Sequence, residues 1–577
     1  MNLRTLARHH GIVTDYDDRQ VPDATLRLIL TGLDVDPEAK PEGPASPKKF
    51  PRPKEHAPQP ARGWGIFCQL YELRSDRNWG IGDFADLSLL AKTCGAAGAD
   101  FLGVNPLHAL FLAAPERCSP FSPSNRRFLN PLYIAPDLLG LARPASIDGY
   151  AVSDLVDYAA VTDAKLTALR GVFNAGVDDP GFDRFRADQG EALHLHAVFE
   201  VISARHGGKG WTDWPEALQD PKADAVRAFA IDHALDVRFQ EWLQWIARTQ
   251  LKAAQRAANE AGMRIGLYLD LAVGEVPDGS AIWSGKNTTL PDLEVGAPPD
   301  VFSEEGQNWH LAAPSPTAMA KDDYANYRAM ISAQLADAGA LRIDHAMALW
   351  QLFLIPSGRP ASEGAHLRYP MADLLRVLIE EAHAANAILI GEDLGFVPEG
   401  FREVMEAAKL LSYRIVYFEQ DDEGFHAPGS YPQLALACLS THDLPVLAAW
   451  WRGDDIHLRQ KNGLVSEETS ILHFAHRKKE RRELIRALNV RADAAAPELP
   501  ETVFEGAHAF IAASRSVLAG VRLADLTGPE MPTNLPGVTD AHPNWRPRSP
   551  VLVDDIAAHP EFVRITDLMR ASRSRSK

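Results

Sequence analysis

Asp344, Glu392 and Asp443 each close or follow a short apolar run, in "GALRIDHAMALW", "AILIGEDLG" and "LALACLSTHDLP". A carboxylate beside such a run costs free energy unless it is paired. Arg342, two residues before Asp344, could supply a structural ion pair. The other reading is that the three acids share one reactive pocket. Carboxylates working without a metal suit acetal chemistry, in which one attacks the anomeric carbon while a neutral carboxylic acid protonates the leaving oxygen. A third carboxylate nearby raises the acid's pKa by like-charge repulsion and helps keep it protonated near neutral pH.

The spacing gives little support to a metal. No HExxH occurs, and the histidines of "LHLHAVF", His194 and His196, stand two apart within a helical pattern, so they face different ways. A metal-dependent hydrolase would have to be built from His345, His442 and the aspartates. The expectation is therefore no metal and no cofactor.

To act together, the three acids need elements that end at one face. Eight apolar runs read as strands: "GWGIFCQLYEL", "FLGVNPLH", "GLYLDLAVG", "ALRIDHAMAL", "AILIGEDLG", "LLSYRIVYFEQ", "LALACLSTHDLP" and "VLAGVRLADLTG". Several follow a helical stretch closed by Gly or Asn, the usual helix cap, and helix-to-strand alternation implies parallel strands. Eight parallel strands close most naturally into a (β/α)8 barrel, whose strand C-termini all point to one rim. Polar residues cluster at those ends: Asn105, His108, Asp270, Asp344, His345, Glu392, Asp393, Glu419, His442 and Asp443. An open doubly wound sheet would need a GxGxxG turn after its first strand, and none is present.

Three stretches fall outside this repeat. Residues 1–36 read as a short helical extension and 37–60, with eight prolines among charges, as an extended linker. The catalytic unit would span 61–577, with insertions at about 131–260, helical, and 275–325, a long loop. "HRKKERRELIRAL", residues 476–488, reads as a solvated helix face.

The whole chain excludes some partners. A net charge of −18 over 577 residues gives no attraction for nucleic acid. Cys68, Cys94, Cys118 and Cys438 lack CxxC spacing and fit reduced, mostly buried thiols. The start, "MNLRTLARHHGIVTDYDD", lacks the apolar core of a signal peptide, and no run of about 18 apolar residues occurs. The expectation is a soluble cytoplasmic protein that meets neither membrane nor nucleic acid.

Sugar sites also use aromatic platforms and loops dense in hydrogen-bonding groups. Trp79, Phe121, Phe128, Trp283 and Trp309 follow strands; Trp309 is the strongest candidate, because Gln307 and Asn308 beside it argue against burial.

The segments "NWGIGDF", "SPFSPSNRRFLNPLYI", "GLYLDLAVG", "VGAPPDVFSEEGQNW", "ALRIDHAM", "LIGEDLG", "STHDLP" and "NLPGVTDAHPNWRPR" together resemble the 4-α-glucanotransferases, or amylomaltases, of glycoside hydrolase family 77. The resemblance runs from about residue 61 to the end. It implies a (β/α)8 barrel with inserted subdomains and no separate C-terminal β domain, no metal, and maltooligosaccharides and α-1,4-glucans as both donor and acceptor. It also implies Asp344 as nucleophile, Glu392 as general acid/base and Asp443 as transition-state stabiliser, with Arg342 and His442 orienting the nucleophile and the sugar. Trp309, Gln307 and Asn308 are candidates for acceptor contact, and Asp270 and Asp278, by the variable stretch "EVPDGSAIW", for further sugar contacts. Two rival readings are an α-amylase-type hydrolase using the same acids and a non-catalytic glucan-binding protein. Arg126 and Arg127 could bind sugar or brace their loop, and Asp393 should pair locally.

Overall fold

The computed structural model describes residues 3–16, 19–41, 45–47, 49–285, 288–299, 305–538 and 541–573. Eight strands form a closed barrel: β1 Gly63–Cys68, β2 Phe101–Val104, β3 Gly266–Leu271, β4 Ala340–Ile343, β5 Ile388–Gly391, β6 Leu411–Ile415, β7 Ala435–Cys438 and β8 Leu518–Arg522. Each pairs in parallel with the next in chain order, and β8 pairs with β1. All eight runs singled out in the sequence are strands of this barrel. Parallel strands covered by helices are buried on both faces, which is why they read as apolar runs rather than as alternation.

The barrel interior is filled by rings. Phe67, Phe101 and Tyr268 pack with centroids 5.2 to 5.7 Å apart. Glycines of neighbouring strands make room for them: a Cβ on Gly103 or Gly520 would fall 2.3 or 2.0 Å from a carbon of the Phe67 ring. Burying such a ring contributes about 1.5–3 kcal/mol. The crossover helices carry their own stop and start signals. Asp83 caps helix Phe84–Ala96 in a capping box with Asp86, and Asn386 closes helix Met371–Ala385 at φ 51°.

Between β2 and β3 the chain builds helices Tyr158–Asn174, Pro180–Arg205, Asp224–Asp232 and Ala234–Glu260. The stretch expected as a long loop is different. Strands Thr289–Ala297 and Gln307–Pro314 join Gln351–Pro356 and Ala365–Arg368 in a four-stranded antiparallel sheet beside the barrel mouth. Its two halves lie on either side of β4 in the chain, and register shifts interrupt the alternation of its first pair, so no local period announces it. After β8 the described residues form short helices and no further strand, in agreement with the absence of a separate C-terminal β domain.

The N-terminal residues pack on this body. Helices Leu3–His9 and Asp23–Gly32 bury Leu6, Ile29 and Leu30, and Ile12 bridges to Leu367 of the four-stranded sheet. The described part of 37–60 holds no helix or strand; Phe50 packs on Trp350 at 4.4 Å, and the Ala57 N–H donates to Ala408 O. The charge run within helix Glu467–Leu488 is not wholly solvated. Arg477, Glu480 and Leu484, spaced along one stripe, are buried, and Arg477 pairs with Asp455 over the Trp450 ring. Among the described residues no helix is long and apolar enough to cross a membrane.

Candidate active site

Asp344 and Glu392 are set by the barrel ladder itself. Each is the first residue beyond its strand. The Asp344 N–H donates to Leu271 O of β3 at 3.1 Å, and the Glu392 N–H donates to Ile343 O of β4 at 3.0 Å. Because β3, β4 and β5 are neighbours, their C-terminal ends bring Asp270, Asp344 and Glu392 to one rim.

Arg342 serves more than a single ion pair. Its Nη1 donates to both Asp270 oxygens at 2.7 and 2.8 Å, and its Nη2 lies 2.8 Å from Asp344 Oδ1. β3 and β4 pair Asp270 directly opposite Arg342, so the register decides the contact. Burial opposes the guanidinium charge, but the two aspartates and Glu392 outweigh it and hold Arg342 above its ordinary value. Burial also raises Asp270, against the pull of Arg342.

Glu392 is 8% exposed and accepts two backbone N–H groups, from His345 to Oε2 and from Leu394 to Oε1, both at 2.8 Å. Burial pushes its carboxyl up to about 7; Asp344 adds to the rise, while Arg342 and the two N–H groups oppose it. The His345 N–H reaches Glu392 from a left-handed conformation, φ 45°, which costs of order 1 kcal/mol in a non-glycine residue. Burial lowers the His345 ring to about 4, so it is neutral near pH 7, and it meets Trp309 edge-on at 5.1 Å.

Asp443 is held differently. It lies on the loop after β7 with 44% of its side chain exposed, His442 Nε2 stands 3.2 Å from Oδ2, and the Asn534 amide donates to Oδ1 at 2.8 Å. Although desolvation in the cleft works the other way, His442 and Asn534 keep Asp443 well below the usual carboxylate range. The His442 ring is stacked on Phe121 at 4.6 Å with Trp545 at 5.7 Å. Asn534 had no role in the sequence reading, although it lies within a quoted segment. Its contact with Asp443 spans 91 residues, and no spacing rule reaches that far.

The remaining candidates divide. Trp309 is partly buried, with Nε1 donating to Gln307 Oε1 at 3.1 Å. The Asn308 amide donates to Glu294 at 2.6 Å. Asp278 accepts two hydrogen bonds from Arg117 at 2.8 Å. Three aromatic candidates are core instead of sugar platforms. Trp79, Phe128 and Trp283 are buried, Trp283 between Phe199 and Trp214 with its Nε1 donating to Leu218 O. Strand-following position could not reveal this, because the inserted helix Pro180–Arg205 brings His196 onto Phe128 and Phe199 onto Trp283.

Arg126 donates to Ala272 O and Val273 O and pairs with Glu275, so it braces its loop. Asp393 is fully buried between Arg402, Arg414 and the Tyr413 N–H. His194 and His196 lie on helix Pro180–Arg205, next to Glu241 and Ser280 respectively. Among the described residues no group of three His, Cys, Asp or Glu side chains is arranged to hold a metal ion.

The site therefore combines an aspartate paired with a buried arginine, a carboxyl whose proton is retained near neutrality, and a third, strongly ionised aspartate. A carboxyl raised by burial next to an aspartate held by a guanidinium is the equipment of an acid acting beside a nucleophile.

Known proteins resemble this chain over most of its length. A family model described as 4-alpha-glucanotransferase matches residues 68–553. The 4-alpha-glucanotransferase of Haemophilus influenzae is 33% identical over 521 residues, 84% of this chain and 74% of that protein. That of Mycobacterium tuberculosis is 34% identical over 547 residues, 89% of this chain and 75% of that protein. The crystal structure of amylomaltase from Corynebacterium glutamicum superposes with a TM-score of 0.85 at 24% identity, covering 98% of this chain and 99% of that one, which shows the shared fold.

Proposed function

Because this chain belongs to the 4-alpha-glucanotransferase family, we propose that it transfers a segment of an α-1,4-glucan to the 4-hydroxyl of another glucan or of glucose by a retaining double displacement. Asp344 attacks the anomeric carbon as Glu392 gives its proton to the departing glycosidic oxygen; the C–O bond breaks, and a glycosyl ester forms on Asp344. The shortened glucan leaves. An acceptor 4-hydroxyl then enters, loses its proton to Glu392, and displaces Asp344 from the opposite face, which restores both groups and retains the configuration. Asp443 stabilises the positive charge that builds on the sugar ring in both steps. Arg342 holds and aims Asp344, and His442 contacts the sugar at the cleavage point. Asp270 and Asp278 add further sugar contacts, each oriented by an arginine partner, Arg342 and Arg117 respectively.

The observation that carries this reading is the contrast between Glu392, pushed up to about 7, and Asp344 beside the Arg342 charge. Substrates would be maltooligosaccharides and α-1,4-glucans, with no cofactor, and unpaired cysteines favour a cytoplasmic setting. Incubation with maltotriose tests the reading. The expected result is free glucose plus a ladder of longer sugars, with no net gain in reducing ends. Reducing ends that rise with glucose would make the protein a hydrolase, and tight glucan binding without products would make it a binding protein.

Transfer in preference to hydrolysis needs an acceptor that is aligned while water is kept out. Trp309, partly buried against His345, with Gln307 and Asn308 beside it, suits that task. Trp309→Ala is expected to slow transfer and to raise reducing ends formed per glucose released by about fivefold, as for the loss of about 1 kcal/mol of ring contact. Circular dichroism should be unchanged. An unchanged ratio, or a protein that does not fold, would leave Trp309 a packing residue.

A further inference from the structure

The three acids are not anchored alike. Asp344 and Glu392 sit one residue beyond strands whose ladder bonds reach them, whereas Asp443 lies five residues beyond Cys438, the end of β7, on a loop without helix or strand. A group half exposed on such a loop holds its geometry only if something outside the loop ties it.

Asn534 ties the carboxylate itself, and a second tie, to the loop that carries it, comes from the next strand. Arg522, the last residue of β8, turns its guanidinium back over the loop, and Nη1 reaches Ser440 Oγ at 3.2 Å, Thr441 O at 2.6 Å and Leu444 O at 2.8 Å. Three of the five residues from Ser440 to Leu444 thus meet one nitrogen, and the two they enclose are His442 and Asp443. Three residues further on, in the short helix Leu523–Thr527, Asp525 accepts the Leu447 N–H at 2.7 Å, so the start of helix Leu447–Arg452 is pinned from the segment that follows β8. β7 and β8 are paired neighbours, with Cys438 opposite Gly520, which fixes how far Arg522 must reach. Arg522 also lines a cavity of about 50 Å³ under the site together with Glu72, Asn105, Asp270, Arg342 and His442. Buried Glu72 lines the same cavity, and burial pushes its carboxyl up to about 7.

We propose that Arg522 is a positioning residue that clamps the Ser440–Leu444 loop from β8 and so sets where the Asp443 carboxylate meets the reacting sugar. The inference rests on the proposed transfer chemistry. Arg522 acts through the loop that carries His442 and Asp443, chiefly through Asp443, so its loss should be felt more in turnover than in substrate binding, and should largely vanish once Asp443 can no longer stabilise charge.

The test is maltotriose kinetics on Arg522→Gln and Arg522→Lys, each also made in the Asp443→Asn protein, with thermal melts as the folding control. Misplacing one catalytic group by about 1 Å costs on the order of 100-fold, so Arg522→Gln is expected to lower kcat about 30- to 100-fold with KM changed less than about threefold. Lysine, which can still donate to the loop carbonyls, should recover about tenfold of that loss. In the Asp443→Asn protein the same substitutions should cost less than about twofold, because residues acting as a unit are not additive. If Arg522→Gln does not fold, the Lys variant carries the same comparison. Equal losses in both backgrounds, or an unchanged kcat, overturn the inference. A wild-type protein inactive on maltotriose overturns the functional reading and the inference with it, whereas an active wild type with indifferent Arg522 variants overturns the inference alone.

Discussion

Asp344→Asn is expected to abolish transfer, leaving less than about a ten-thousandth of wild-type kcat on maltotriose, in line with the loss of a covalent nucleophile. An amide has the same shape but neither the charge nor the nucleophilicity to displace a glycosidic oxygen. The fold should persist. Arg342 keeps both bonds to Asp270, and the new amide oxygen can still accept from Nη2. What is lost is one of the charges around a buried guanidinium, worth about 1.5–3 kcal/mol. The protein should therefore melt somewhat earlier and still bind glucan. Quantifying glucose release under high enzyme concentration checks it. Residual activity above about a hundredth, a loss that general-base assistance alone could explain, would sink the assignment of Asp344 as nucleophile.

Glu392→Gln should separate the proton from the bond it helps to break. A glutamine cannot protonate the leaving sugar, so transfer from maltotriose is expected to fall about 10³-fold, within the usual worth of a general acid. A donor such as a maltosyl fluoride needs no such proton. It should still load Asp344 and leave a glycosyl-protein visible by intact mass spectrometry, because the second step, which needs Glu392 as base, is slowed. The substitution has a structural cost as well. Both Glu392 oxygens accept backbone N–H groups, and the glutamine NH2 cannot accept, so one of the two donors loses its partner at about 1–3 kcal/mol.

The wild-type pH profile follows from the same group. As the proposed acid, Glu392 acts in its protonated form, and with its carboxyl pushed up to about 7 the kcat/KM for maltotriose is expected to be high below that value and to fall as pH rises through it. With the fluoride donor this alkaline limb should disappear. A fluoride donor that yields no glycosyl-protein, or an alkaline limb identical for both donors, would remove Glu392 from the role of acid.

How much of this could be read without coordinates differs by residue. The strand "ALRIDHAMAL" and its neighbours were legible because burial on both faces writes a continuous apolar run, and because Gly or Asn marks where the preceding helix must stop. Asp344 and Glu392 followed directly, since a residue next to a strand end inherits its position from the ladder. Trp283 was not legible. It stands in a loop sequence and is enclosed by Phe199 and Trp214, whose approach depends on how the inserted helices fold back. The four-stranded sheet escaped for a related reason, its strands being paired across the intervening β4.

The sequence by itself determined the parallel barrel, the family through its spaced segments, and which acids stand at strand ends, because each of these is written in short-range pattern. Only the tertiary structure decided what those acids are. The β3–β4 register divides Arg342 between Asp270 and Asp344, burial raises Glu392, a left-handed His345 delivers an N–H to it, and Asn534 arrives on Asp443 from 91 residues away. Charge state and aim depend on desolvation and on distances of a few ångströms between segments remote in the chain, and those exist only once the barrel has closed.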